Sequence, residues 1–221
     1  MHDRIIQLFL FYPLFLFSLS VHETAHAWMS NRFGDSTAKD LGRVTLNPLP
    51  HMDVIGTAFL PIFGILTGFP IIGWGKPVPV NGNRLKNPRK DHLWIAAVGP
   101  LSNIVVASVC AALSWALLAL IPQVFSTFPE SGTTSFSVLI GIKSILEMGV
   151  IINLLFAAFN MLPFFPLDGS AVLRGLLPER MVHGFDQFSR YGMVILLVLF
   201  IAGLLRYVLI PVFVVAKWML P

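Results

Sequence analysis

The residues best equipped for chemistry are His22, Glu23 and His26, within the run His22-Glu23-Thr24-Ala25-His26. Histidines four apart on a helix project from one face at adjacent turns, so two imidazoles can grip one metal ion. A glutamate directly after the first histidine can reach a water on that metal, the H-E-x-x-H arrangement for hydrolysis. The setting is unusual. No charged residue occurs from Ile5 to Val21, so the pattern ends an apolar run long enough to enter a membrane.

A catalytic zinc takes three protein ligands and keeps one position for water. Asp168, in Pro166-Leu167-Asp168-Gly169, is the candidate third ligand, although Asp-Gly after a proline also reads as an ordinary turn. Glu147 competes, but it is spaced to pair with Lys143 at the other end of its helix. His51 lies in a loop that could fold over the site, as a gate or an extra ligand, against the plainer reading of an exposed histidine. Asn103 and Asn160 are polar residues inside apolar helices and are candidates for substrate contacts. For Asn103, beside Gly99, hydrogen bonding between helices is the default; Asn160, eight residues before Asp168, could hold a substrate backbone carbonyl. Asn153 reads as packing, and Asp53 and Asp91 as solvated loop residues. His2, His92 and His183 have no partner at useful spacing.

Composition sets the environment of these groups. Of 221 residues, 56% are hydrophobic and 12% charged, and the mean hydropathy is +0.78. Soluble domains carry about a quarter charged residues, so this is an integral protein of the lipid bilayer. The formal charge of +4 fits the excess Lys and Arg that multi-span proteins carry in cytoplasmic loops, and nucleic acid is not an expected partner. The single cysteine, Cys110, excludes an intramolecular disulfide. The first apolar run lacks a small-residue cleavage site, so no cleavable signal peptide is expected. No repeat or appended soluble domain stands out, and one membrane-embedded domain is expected over residues 1–221. Composition leaves the oligomeric state open.

The elements follow from the apolar runs. A helix is expected over about Ile5–Met29, bent at Pro13, then a polar segment in which Gly42–Leu46 could form a short strand. Residues Val54 to Ile72 are apolar but broken by Gly56, Pro61, Gly64, Gly68 and Pro70. The loop Gly73–Asn81 reads as extended, because each proline biases its predecessor that way. Long helices are expected over about His92–Leu120 and Ile140–Met161, an amphipathic segment over Ala171–Ser189, and two short helices over Tyr191–Leu220.

Parity constrains the topology. Pro163 and Pro166 stop a helix just before Asp168, while the histidines also lie near the end of theirs. If all three serve one metal, an even number of crossings separates them. The two long helices supply two, so Val54–Ile72 must enter and leave on one side as a re-entrant hairpin. Irregular backbone at that depth is tolerated where protein or a water-filled cavity shields it. This arrangement collects Arg32, Lys39, Arg43 and the Lys76–Lys90 loop on the active-site side, which the positive-inside rule places in the cytoplasm. The expected fold is an all-α polytopic membrane protein. It has about five transmembrane helices, a re-entrant hairpin and a short cytoplasmic β segment, in a cell membrane.

Three motifs in order, His22-Glu23-Thr24-Ala25-His26, Gly99-Pro100-Leu101-Ser102-Asn103 and Asn160-x-x-Pro163-x-x-Pro166-Leu167-Asp168-Gly169, resemble the site-2 protease family of intramembrane zinc metalloproteases. The Gly73–Asn81 loop is similar to the compact bacterial subgroup without PDZ or CBS domains. The resemblance implies one zinc per chain on His22, His26 and Asp168, Glu23 as general base, and an Asn160 contact with substrate. It also implies cleavage of transmembrane helices near the cytosolic face. A common core of three helices, about 5–30, 91–120 and 138–170, would be joined by C-terminal helices at about 188–220. The rival readings are a catalytically silent scaffold for transmembrane helices and a metal-transport protein. The first would have lost part of the ligand set, and the second would show further polar sites along a path.

Overall fold

The computed structural model describes residues 2–69, 73–127 and 132–221. Helix α1, His2–Arg32, carries the first motif in its second half and runs through Pro13. A one-turn helix α2, Thr37–Asp40, follows. Helix α3, Leu60–Thr67, belongs to the broken apolar segment. Helices α4, Pro88–Thr127, and α5, Gly132–Asn160, are the two long apolar helices. After them come α6, Asp168–Leu176, and α7, Glu179–Ser189. The C-terminal pair is α8, Gly192–Ile201, and α9, Leu205–Met219.

Three helices among the described residues are long and apolar enough to cross a membrane: Arg4–Arg32, Pro88–Pro122 and Ser137–Asn160. Helix α4 packs on α1, α5 and α6. It runs antiparallel to both α1 and α5: Gly99 lies by His26 and Asn103 by His22 and Ser18, while Cys110 meets Gly149 and Asn103 meets Asn153. Small residues permit the close approach: Ala107 and Ala111 of α4 meet Val150 and Leu154 of α5 and Val212 and Ala216 of α9 in one buried cluster. The outward face of α4 stays apolar, with Val105, Val109 and Leu113 all more than half exposed. A soluble protein seldom exposes such a stripe, and lipid is the solvent that suits it.

Helices α8 and α9 have 10 and 15 residues, or about 15 and 22 Å at 1.5 Å per residue, short of the ~30 Å hydrocarbon core. Gly203, at φ +66°, separates them. The amphipathic segment is also two helices, because Pro178 holds Leu177 extended between α6 and α7. Arg174 and Asp186 join the two through paired hydrogen bonds of 2.8 and 3.0 Å.

No strand occurs among the described residues, and the segment expected as a strand, Gly42–Leu46, is an irregular loop. Its backbone is already committed elsewhere. The Arg43 amide donates back to Ala38 and that of Gly42 to Lys39, while the Thr45 carbonyl accepts from side chains. Asp91, expected to be solvated, is 7% exposed and accepts from the Asn87 amide at 2.8 Å.

The broken apolar segment behaves as a hairpin. Asp53 starts it by accepting from the amides of Ile55 and Gly56, and a π-type turn over Val54–Phe59 leads into α3. Gly68, at φ +80°, ends α3 with a left-handed cap. There the segment reaches the start of α1, where Arg4 donates to the Leu66 carbonyl at 2.6 Å. The chain is back at its point of entry by Trp74, whose amide donates to Gly56 at 3.1 Å and whose carbonyl accepts from Thr57 at 2.7 Å. Residues 70–72 of the expected hairpin lie outside the described residues. The residues flanking the segment, His51 and Gly75, come together beside Glu23, toward the end of α1 that carries His22 and His26.

Candidate metal centre

His22 and His26 lie one turn apart on α1, with ring centroids 4.6 Å apart and planes at 82°. Their Nε2 atoms are 3.0 Å apart. Asp168 reaches both from the first turn of α6, its Oδ2 standing 3.1 Å from His22 Nε2 and 3.3 Å from His26 Nε2. Two prolines break the chain after α5, and Gly169 lets it turn tightly enough to bring Asp168 back. A Cβ there would lie 2.2 Å from the Met161 carbonyl oxygen. A carboxylate in the first turn of a helix is also favoured by the helix dipole.

The hydrogen bonds around the rings decide which atoms face inward. His22 Nδ1 lies 2.7 Å from Asn103 Oδ1, and His26 Nδ1 lies 2.6 Å from the Ile95 carbonyl. Both partners accept, so both Nδ1 atoms carry the proton and both Nε2 lone pairs point at the carboxylate. Asp168 Oδ2 is buried and receives no hydrogen bond. Three electron-pair donors thus face one another in a buried space, an arrangement that a cation would stabilise. Metal–ligand bonds of about 2.0–2.1 Å in tetrahedral array put neighbouring ligand atoms about 3.3 Å apart, close to the observed separations.

Gly99 of α4 leaves the room. A Cβ at this position would stand 2.3 Å from His26 Nε2 and 2.8 Å from His22 Cε1, within the space between the rings. Among the described residues His22, His26 and Asp168 are the one group of three potential ligands that converge in this way.

Glu23 is 8% exposed and faces the returning leg of the hairpin, where a Cβ on Gly75 would lie 3.2 Å from its Oε1 and 3.3 Å from the His51 carbonyl. That leg is tied down on either side of Gly75. The Lys76 amide donates to the His51 carbonyl at 2.8 Å, and Arg43, 5% exposed, donates to the carbonyls of Pro50, Lys76 and Pro77. Gly75 lies between the tied residues, and its own N–H and C=O make no hydrogen bond among the described residues.

His51 departs from the expected exposed loop histidine, being fully buried. Its Nε2 donates to the Thr45 carbonyl at 2.8 Å and lies 3.4 Å from Thr24 Oγ1, and it is not among the residues whose ligand atoms converge. Asn103 does not fit a substrate contact. It is fully buried, its Nδ2 donates to the Ser18 carbonyl and Asn153 Oδ1, and its Oδ1 is taken by His22. Asn160, at the last turn of α5, is half-buried and donates to the Phe156 carbonyl at 3.0 Å, which leaves its oxygen free among the described residues. Arg43 and Gly75 were not singled out from sequence. The available signal was a lone arginine in Gly42-Arg43-Val44 and a glycine between Trp74 and Lys76.

Two imidazoles, a carboxylate and an adjoining glutamate, set in a bundle with apolar outer faces, are the equipment of a membrane metalloprotease. The family model for peptidase family M50 matches residues 10–203, and the chain belongs to that family. It is 35% identical over 212 residues to the "Putative zinc metalloprotease YwhC" of Bacillus subtilis, covering 92% of this chain and 89% of that one. It is also 27% identical over 194 residues to the "Putative zinc metalloprotease Rip2" of Mycolicibacterium smegmatis, covering 86% and 66%. No solved structure matches it.

Proposed function

We propose that this protein is an intramembrane zinc endopeptidase that cuts other membrane proteins in or near their transmembrane segments. The observation that carries the reading is the convergence of His22 Nε2, His26 Nε2 and Asp168 Oδ2 within 3.0–3.3 Å, in a bundle whose outer faces suit lipid. Zinc is named because two histidines, one carboxylate and an open position form its usual catalytic ligand set, and because both relatives carry zinc in their names. When bound, zinc supplies Lewis-acid activation of water and of the scissile carbonyl.

The chain's own residues supply the rest. Glu23 accepts a proton from the attacking water on its carboxylate and delivers it to the leaving amine. A transmembrane helix hides its peptide bonds in internal hydrogen bonds, so the substrate must unwind before it is cut. Gly75 offers an unpaired N–H and C=O beside Glu23, which suits pairing with an extended substrate segment. Asn160 supplies a further polar contact. The excess of basic residues around the site supports, by the positive-inside rule, a site on the cytoplasmic side of a cell membrane, with water reaching it through the loops. Residues 1–221 act as one catalytic domain.

The test uses the purified full chain in detergent or proteoliposomes with a transmembrane substrate. Glu23→Gln should keep stoichiometric zinc and lose about 10²–10⁴-fold in turnover, the usual contribution of a general base. Unchanged cleavage by Glu23→Gln, or a wild-type protein that binds no zinc, would refute the reading.

A further inference from the structure

A chain of buried amides runs from the metal centre across three helices. Asn153 of α5 donates from Nδ2 to Ser18 Oγ on α1 and to its own Gly149 carbonyl, each at 2.9 Å. Its Oδ1 accepts from Asn103 Nδ2 of α4 at 2.8 Å. Asn103 Nδ2 also donates to the Ser18 carbonyl at 3.1 Å. Asn103 Oδ1 then accepts from His22 Nδ1 at 2.7 Å. Asn103 is fully buried and Asn153 is 1% exposed. Because a main-chain carbonyl can only accept, the Ser18 oxygen fixes which end of the Asn103 amide is nitrogen. The oxygen must therefore face His22.

His26 provides the internal contrast. Its Nδ1 proton is held by the Ile95 carbonyl, a main-chain group that comes with the helix. Among the described residues His22 has no such partner, and the acceptor on its Nδ1 is a side chain. Simple helix packing would be served by one amide contact. Here both functions of Asn103 are used in a fixed sense, and the far one reaches a candidate ligand.

We propose that Asn103, oriented by Asn153, is a positioning residue for the metal centre. It holds His22 with the proton on Nδ1 and the Nε2 lone pair toward the metal position, so that docking of α4 and α5 on α1 is read out as metal affinity. The inference rests on the metal reading given under Proposed function. It assigns to Asn103 and Asn153 a task distinct from substrate contact and from packing alone.

The two halves of the Asn103 amide can be tested separately in the purified full chain. Zinc affinity is measured by competition with a chelator, and ligand geometry by the visible absorption of the cobalt-substituted protein. Asn103→Leu removes the acceptor and should weaken zinc about 10–100-fold, the usual loss when a ligand's hydrogen-bond partner is removed, with an altered cobalt spectrum. Asn103→Asp keeps an acceptor for His22 but loses both donors. It should melt earlier yet bind zinc within a few fold of wild type. Asn153→Ala leaves His22's partner in place but removes one of the two acceptors that orient it, and should fall between the two, which serves if Asn103→Leu does not fold. Equal weakening by Asp and Leu, or wild-type affinity in Asn153→Ala together with Asn103→Leu, would overturn the proposal. A wild-type protein without zinc affinity would instead overturn the metal reading itself.

Discussion

The two sides of the centre are built in opposite ways. On the metal side, His22, His26, Gly99 and Asn103 sit on long helices, and their positions are fixed by the regular helix backbone, by side-chain contacts and by the helix carbonyls of Ile95 and Ser18. On the facing side, the hairpin leg Gly73–Pro77 and the turn ending at His51 are irregular backbone. Their polar groups are satisfied by individual ties: Arg43 to three carbonyls, Lys76 to His51, Thr57 to Trp74. A helix can hold ligand atoms in place because its geometry repeats. A substrate that must be unwound needs backbone that is not already paired, and a helix has none to offer. The difference teaches where rigidity is needed and where free hydrogen-bonding groups are.

Variants should separate along that line, with metal-side changes lowering zinc content and hairpin-side changes lowering turnover at full zinc content. The largest effect is expected from Gly99→Ala. Its Cβ would stand 2.3 Å from His26 Nε2, so ring or helix must shift, and metal analysis should find zinc reduced to a small fraction of one per chain. A fully loaded Gly99→Ala protein would remove the argument for the close approach of α4.

Next in size is Arg43→Gln. Three carbonyls lose a charged donor, and each unsatisfied buried polar group costs about 1–3 kcal/mol. The leg should detach, exposing Lys76 to trypsin and lowering kcat/KM by about 10–100-fold, while zinc stays bound. Loss of zinc in this variant would mean that the two sides are not separable.

A smaller effect is expected from Gly75→Ala, where the added methyl meets Leu19 at 2.8 Å and Glu23 Oε1 at 3.2 Å. Zinc content should be unchanged and kcat/KM lower by roughly tenfold, about 1.4 kcal/mol in the barrier.

The smallest concerns pH. Burial and the nearby Arg43 charge hold His51 below its ordinary value, against the opposing pull of the Thr45 carbonyl and Glu23. With a docked-state pKa below the free value of about 6.5, both states are neutral above that pH and nothing is lost there. As pH falls below about 6.5 the undocked loop takes the proton first, so docking weakens by at most ~1.4 kcal/mol per pH unit. Amide protection at residues 45–51, taken relative to the intrinsic exchange rate at each pH, should fall from pH 6.5 to 5 in wild type, and His51→Gln should flatten the dependence.

Much of this was legible in the residues. The helical spacing of His22 and His26 depends only on 3.6 residues per turn, and the long apolar runs were visible as α1, α4 and α5. The parity argument about Val54–Ile72 also came from sequence, and the residues flanking that segment, His51 and Gly75, meet beside Glu23. The limits are equally local. Gly42–Leu46 looks like a strand by residue type, but strands exist only in pairs, and nothing in the sequence says that the partner groups are taken. His51 and Arg43 looked like ordinary loop residues, because burial of a loop side chain depends on segments far away in the chain.

The sequence by itself determined the environment, the chemistry and the order of the parts: apolar runs long enough for lipid, a histidine pair with its glutamate, and an aspartate after a proline-broken helix. These are local properties of spacing and polarity. Only the tertiary structure decided that Asn103 lies buried against His22, that Gly99 leaves room between the rings, and that Arg43 ties the hairpin beside Glu23. Each of those depends on which atoms from distant segments share a space, and a donor or acceptor acquires its role only when its partner arrives.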